Sequence, residues 1–475
     1  MLMHHSTVNG RSRLTFWSHV REFAVPASMI ESAAARRQAG DWSAACAAAR
    51  VDVDLHLRGL ARTHGRQFAD VVRADLRHLA PDLLRWHFPR IRPDGLLRPG
   101  LTASLARYRL DGDDEVHLVA RTPPAWADAG QRISLALWEP SGPLSRAGGH
   151  PHPRPNRRFR LDLHRHLWDV RRTSELRERA GVEQWVTADH PADGRAAHRW
   201  AAEAALLLRA EGRADGAVVV RLGARQRIVL GSDEARHRST GSGRLDASSH
   251  RSTGPGLRDA SSHRSNGPGL RDASGRQGTI LPDAATWVLP DLELWHAGAI
   301  DADRLHPLVR SALLPDHPPA DSARSPDGAG IPRLVDCRGS THRIGVVNGV
   351  LTPLDHDPDD LRREALLVAL GGTGLPCLQA IDAAHRHPED LDDVRARLDH
   401  GDVAGALAIV EDLLGPDALL LSGELRDELQ TAAERKVVHG LYRAELHDVR
   451  ALPSTKDTLL TSARARRRHA AFRRP

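Results

Sequence analysis

The chain has 475 residues, 40% of them hydrophobic and 27% charged, and a net charge of +6. That length allows two or three ordinary cores, and the composition is that of a soluble globular protein, which excludes fibrous and wholly unstructured classes. Lys436 and Lys456 are the only lysines among 67 basic residues. With abundant Ala, Gly, Asp and Pro, this arginine bias points to a GC-rich bacterial genome and carries little functional information.

The positive surplus sits outside the expected folded parts. Arg464, Arg466, Arg467, Arg468, Arg473 and Arg474 all follow the last acidic residue, Asp457. Residues 232–278 hold eight arginines against five acids. The remaining body is slightly acidic, which argues against a broad basic surface for nucleic acid. Cys46, Cys337 and Cys377 are far apart and form no CxxC, so neither a disulfide framework nor a zinc ribbon is expected. No apolar run approaches membrane-spanning length and no signal-type apolar region is found, so a cytoplasmic protein with no membrane partner is expected.

Residues 1–28, with MLMHH and an isolated Phe16-Trp17, read as a disordered or spurious extension, with Met29 an alternative start. A helical unit is expected over 29–98. Gly40 ends one helix and Asp41 caps the next, and Phe68, Val71, Val72, Leu76 and Leu79 follow at helical spacing. An α+β domain is expected over 99–314, built on antiparallel strands. Leu105–Leu110 and Val116–Val119 flank an Asp-Gly turn, and strands are predicted at 133–138 and 159–167. A helix over 196–211 and a hairpin at 218–230 follow. The stretch 232–278 carries a thirteen-residue repeat with His237, His250 and His263, whose near-identical, non-apolar copies predict a disordered insertion. A Pro-rich linker at 315–331 precedes a hairpin-plus-helices domain at 332–450, where Asn348-Gly349 supplies the turn. Residues 451–475 form a basic tail. The fold class is therefore α+β: a helical N-terminal unit, a mixed antiparallel-sheet middle domain with an insertion, and a C-terminal β-hairpin plus helices.

Gly40-Asp41-Trp42-Ser43-Ala44-Ala45-Cys46-Ala47 is echoed by Gly401-Asp402-Val403-Ala404-Gly405-Ala406-Leu407-Ala408. Both are similar to the turn of tetratricopeptide-type helical hairpins. Stacked arrays need at least three repeats, and two predict ordinary hairpins instead.

Signatures of known machinery are absent: no GxSxG, HExxH, Walker or dinucleotide fingerprint occurs, and no cofactor is expected. His150/His152, His164/His166 and His385/His387 are His-x-His pairs; on a strand at 159–167, His164 and His166 fall on the polar face opposite Phe159, Leu161 and Leu163. Gly371-Gly372-Thr373-Gly374 lacks the Lys-Ser/Thr ending of a phosphate loop and reads as a helix connection, with Cys377 a core or capping residue. The densest acidic cluster with a histidine is Asp355-His356-Asp357-Pro358-Asp359-Asp360. Helix capping accounts for its later members, whereas Asp355, His356 and Asp357 are the candidates for a metal or general-base site. Three functions follow. The favoured one is a non-catalytic interaction or scaffold component that binds another protein; the alternatives are an enzyme of unrecognised type, with or without a metal, whose site is near 355–360, and nucleic-acid association through Arg464–Arg474. If the tail binds phosphates, deleting residues 462–475 abolishes salt-sensitive retention on a nucleic-acid column, and unchanged retention rejects that role.

Overall fold

The computed structural model describes residues 13–446, except 111–114, 141–149, 184–193, 224–225, 232–278, 317–332, 338–339, 348–349, 354, 371–374, 380–390 and 415–422. The architecture is α+β, in two compact units: Met1–Pro124 with Ile133–Pro319, and Ala125–Arg132 with Ala320–Pro475. No helix among the described residues is long and apolar enough to cross a membrane.

The first unit begins with helix α1 (residues 13–19), which runs into a single π turn at Val20–Ala24. The extension set aside in the sequence is part of the core from this point: Phe16, Val20, Phe23 and Ala24 are all buried. Phe16, Val20 and Phe23 follow one another at i, i+4 and i+7, a helical stripe hidden by the polar residues between them. Helices α2 (Ala27–Gln38) and α3 (Trp42–Ala48) form a hairpin in which Gly40 takes φ +80° and the Asp41 carboxylate accepts from Ala44 N at 2.9 Å. Strand β1 (Val51–Val53) interrupts the expected helical run, before α4 (Leu57–Thr63), α5 (Arg66–Arg77) and α6 (Pro81–His87).

The main sheet adds β2 (Thr102–Arg109), β3 (Glu115–Arg121) and β4 (Ile133–Trp138) in the order β1-β4-β3-β2. β2, β3 and β4 pair antiparallel, while β1 lies parallel to β4 with Val51 opposite Ile133. Through β1 the N-terminal helices and the sheet share one core, which runs from Phe16 to Leu313. Helix α7 (Trp200–Ala210) covers a smaller sheet of order β6-β5-β7, made of β5 (Val218–Arg221), β6 (Arg227–Leu230) and β7 (Thr279–Ile280). β7 joins parallel to β5. The histidine repeat falls between β6 and β7, outside the described residues.

The strand expected at 159–167 is instead a pair of 3-10 turns, Leu161–Leu163 and Arg165–Leu167. His164 and His166 are buried rather than solvated. The reason is a polar cluster that alternation could not reveal: His164 Nε2 lies 3.1 Å from Glu203 Oε2, and Arg179 donates to the same carboxylate. Burial alone would raise Glu203, but His164 and Arg179 hold it well below the usual carboxylate value.

Helix α6, Pro81-Asp82-Leu83-Leu84-Arg85-Trp86-His87, is repeated in α8, Pro290-Asp291-Leu292-Glu293-Leu294-Trp295-His296. Proline at the first position and identical Asp, Leu, Trp and His at matching places make two copies of one helical turn pair. The copies touch: Trp86 Nε1 donates to Asp291 Oδ2 at 2.8 Å. Arg85 Nε donates to Ala24 O at 3.0 Å, tying the π turn to α6. Asp82, wholly buried, accepts from His306 Nε2 at 2.8 Å and Arg37 at 3.1 Å. His306 stands at the N-cap of α9 (Pro307–Leu313).

The second unit opens with an antiparallel sheet of order β10-β9-β8: β8 (Arg333–Cys337), β9 (Ser340–Val347) and β10 (Val350–Pro353). Helices α10 (Pro358–Ala369), α11 (Leu391–Asp399), α12 (Val403–Leu414) and α13 (Glu424–Arg443) follow. Between α11 and α12 the echoed turn has the form of the first: Gly401 at φ +80° and Asp402 Oδ1 accepting from Gly405 N at 3.3 Å. A side chain at Gly401 would overlap the backbone of Gly130, so this turn requires glycine twice over.

Burial alone would push the Asp82 carboxyl up, but His306 and Arg37 hold it below its ordinary value. A folded value below the unfolded one means that this contribution is full above about pH 4 and is lost as pH falls below it. His306→Ala removes one of the side-chain partners of Asp82 and should destabilise the first unit by about 1–3 kcal/mol in chemical denaturation at pH 7, with the difference from wild type shrinking below pH 4.

Candidate metal centre

The sequence marks His356 and its acidic neighbours, and the structure separates their roles. Asp357 is consumed by local structure: its Oδ1 accepts from Asp359 N at 2.7 Å and its carbonyl from Leu361 N at 3.1 Å, which starts α10. Asp355 is exposed. His356 is half-buried in the short link from β10 to α10.

Two thiols meet it there. Cys337 is the last residue of β8, and Cys377 lies among the helical residues 376–379; both are buried. A ring nitrogen of His356 and the two Sγ atoms all lie within 4.8 Å of one another. Tetrahedral ligands on zinc, with Zn–S near 2.3 Å and Zn–N near 2.0 Å, stand about 3.5–3.8 Å apart, so an inward shift of about an ångström closes the set. Two thiols and an imidazole are the donors that soft and borderline ions prefer, above all zinc, and not those of calcium or magnesium.

β8–β9 pairing brings a fourth donor close. Cys337 is opposite Ser340, so His342, two residues along β9, lies on the same face. Its ring stacks on His356 with centroids 4.1 Å apart, and its Nδ1 is buried with no hydrogen-bond partner among the described residues. Burial, the hydrogen bond that its thiol donates to the neighbouring Cys337 and the charge of Asp355 push the Cys377 thiol up to about 11. The Cys377 thiol is therefore protonated at neutral pH until an ion replaces its proton.

The apolar core here is slight. Among the described residues only Leu375 is buried with the two cysteines, and Leu361 and Leu378 pack against them. So small a cluster contributes little burial energy, and small units of this kind are commonly held by a metal.

Sequence reasoning found His356 but not Cys337 or Cys377. The thiols lie on different elements far apart in the chain, so no spacing rule applies. The available signal was positional: two of the three cysteines flank the one acidic-histidine run. His150, by contrast, is spent on backbone, with Nε2 2.9 Å from Thr122 O and Nδ1 accepting from His152 N. His385/His387, the glycines at 371–374 and the tail arginines Arg464, Arg466, Arg467, Arg468, Arg473 and Arg474 lie outside the described residues. No family model, curated protein or solved structure matches the chain.

Protein purified without chelators should carry one zinc ion per chain by elemental analysis, and Cys337→Ser and Cys377→Ser should each lose it. Loading metal-free protein at pH 7 should release about two protons, one per thiol. A Cys337–Cys377 disulfide in freshly purified protein, or wild-type zinc content in both variants, would overturn the assignment.

Proposed function

We propose that this protein is a non-catalytic interaction component whose second unit is ordered by zinc and presents α10 to another protein. The observation that carries the reading is the convergence of Cys337, His356 and Cys377 at the foot of that helix. An ion there fixes the residue before the Asp357 cap, and so the direction in which α10 leaves the sheet.

The far end of α10 supplies the surface. Leu366, Leu367 and Leu370 are 66%, 48% and 88% exposed. Among the described residues, every large exposed apolar side chain except Val71 belongs to the second unit, including Val437, Leu441 and Leu446. Exposed apolar side chains that cluster on one element mark contact surfaces more often than solvated ones. A cytoplasmic location is part of this reading, since a reducing compartment keeps thiols available to metal.

A metal-dependent hydrolase is the second reading. It is favoured by the count of three converging donors, which leaves a fourth position for water as catalytic zinc sites do. His342, stacked beside the set, favours the closed alternative.

Leu366→Glu with Leu370→Glu, in protein that is folded and zinc-loaded, should lose a partner that wild type retains from native lysate. No stable partner for wild type, or equal retention by the variant, would reject the interaction role.

A further inference from the structure

The first unit contains a cavity that the metal centre does not involve; its volume is about 420 Å³, within the range of about 300–1,000 Å³ typical of small-molecule sites. It lies where α1, the end of α6 and the start of α8 come together, so the two copies of the repeated helix frame it. Its walls combine aromatic rings with guanidinium groups. Phe16 and Trp17 come from α1, Phe88 follows α6, and Phe159 and Trp287 close the far side.

The arginines divide into two kinds. Arg13 donates to Glu293 Oε1 at 2.7 Å and lies over Trp287, and Arg158 forks onto Asp283 at 2.7 and 3.1 Å. These two are neutralised. Arg90, Arg92 and Arg98 also line the cavity and have no carboxylate at ion-pair distance among the described residues. Arg90 donates only to the carbonyls of Gly95 and Arg85, at 2.8 and 2.7 Å, and burial lowers its guanidinium to about 9. Arg92 lies over the Phe16 ring at 5.1 Å. A half-enclosed space with three guanidiniums outside any ion pair, reached only at longer range by the charges of Glu293 and Asp283, carries a positive surplus that an anion offsets.

His87 adds a neutral reading group. Its side chain is only 3% exposed, it lines the cavity, and its Nε2 has no hydrogen-bond partner among the described residues. Asp291 Oδ2 stands 3.7 Å away and is already bonded to Trp86. Burial pushes His87 down to about 4, so at neutral pH the ring meets a ligand uncharged.

We propose that this cavity binds a mononucleotide-sized ligand, with a heteroaromatic ring against the Phe and Trp walls and a phosphate held by Arg90, Arg92 and Arg98. Three guanidiniums suit a dianionic phosphate better than a single carboxylate, because arginine forks match phosphate oxygens and the charges then balance. Rings that flank guanidiniums stack equally on a base, which separates this site from one for a bare anion. The volume admits one nucleotide and not two.

The full chain, titrated with AMP, GMP, CMP and UMP, should show saturable binding of at least one by calorimetry and by quenching of the tryptophan fluorescence to which Trp17 and Trp287 contribute. The matching nucleoside and inorganic phosphate should each bind at least tenfold more weakly. Arg92 and Arg98 are exposed, so Arg92→Gln and Arg98→Gln should fold as wild type and each weaken binding by about tenfold, the effect of losing one charge-assisted hydrogen bond. Phe16→Leu should weaken nucleotide binding without changing the response to phosphate. No saturable binding of any of the four at millimolar concentration would overturn the proposal. So would phosphate or benzoate binding as tightly as the nucleotides, or unchanged affinity in both arginine variants.

Discussion

The carboxylate of Asp82 is the constraint around which the first unit is arranged. A wholly buried charge persists only if it is paired and hydrogen-bonded, and its two partners come from opposite ends of the unit. Arg37 belongs to the first helical hairpin and His306 to the last helix, 224 residues away from Asp82 along the chain. Neither can leave without stranding the charge, so the beginning and end of the unit are committed to the same place. The neighbours in α6 repeat the pattern: Arg85 reaches back to Ala24, and Trp86 reaches forward to Asp291. One seven-residue helix thus sets where the N-terminal helices, the sheet and the closing helices stand.

Much of the fold was legible because its signals are local. β2, β3, β4 and the β5–β6 and β9–β10 pairs follow from alternation and turn residues, and α10 follows from Asp357 and Pro358. The failures share a cause, which is dependence on partners distant in sequence. Val51–Val53 is too short to show a period and is a strand only because β4 lies beside it. His164 and His166 sit in a stretch whose alternation suggests a strand, yet Glu203 and Arg179 draw His164 inward. Phe16 and Trp17 look isolated in the sequence because the core they join comes from distant elements, with Trp17 edge-on to Trp86 of α6. The duplicated Pro-Asp-Leu-x-x-Trp-His is present in the chain itself, but the burial of its aspartates and the donors that reach them are not.

The candidate site divides in the same way. His356 stood out because acids surround it, although capping and solvation explain those acids. The groups that give His356 chemical meaning, Cys337 and Cys377, are apolar-looking residues on other elements. A lone cysteine in a sequence is most often a small core residue, and these two become a donor pair only because the end of β8 and the helical turn at 376–379 meet.

The distance between those cysteines along the chain matters as much as their closeness in space. They are roughly forty residues apart, so an ion bridging them closes a long loop. Removing that much freedom from the unfolded chain is worth about 4 kcal/mol by the entropy argument used for cross-links, a large part of what a small unit has in total. The population of folded second unit would then track the supply of metal around it. Scarcity of the ion would act as a thermodynamic off-switch for the α10 surface.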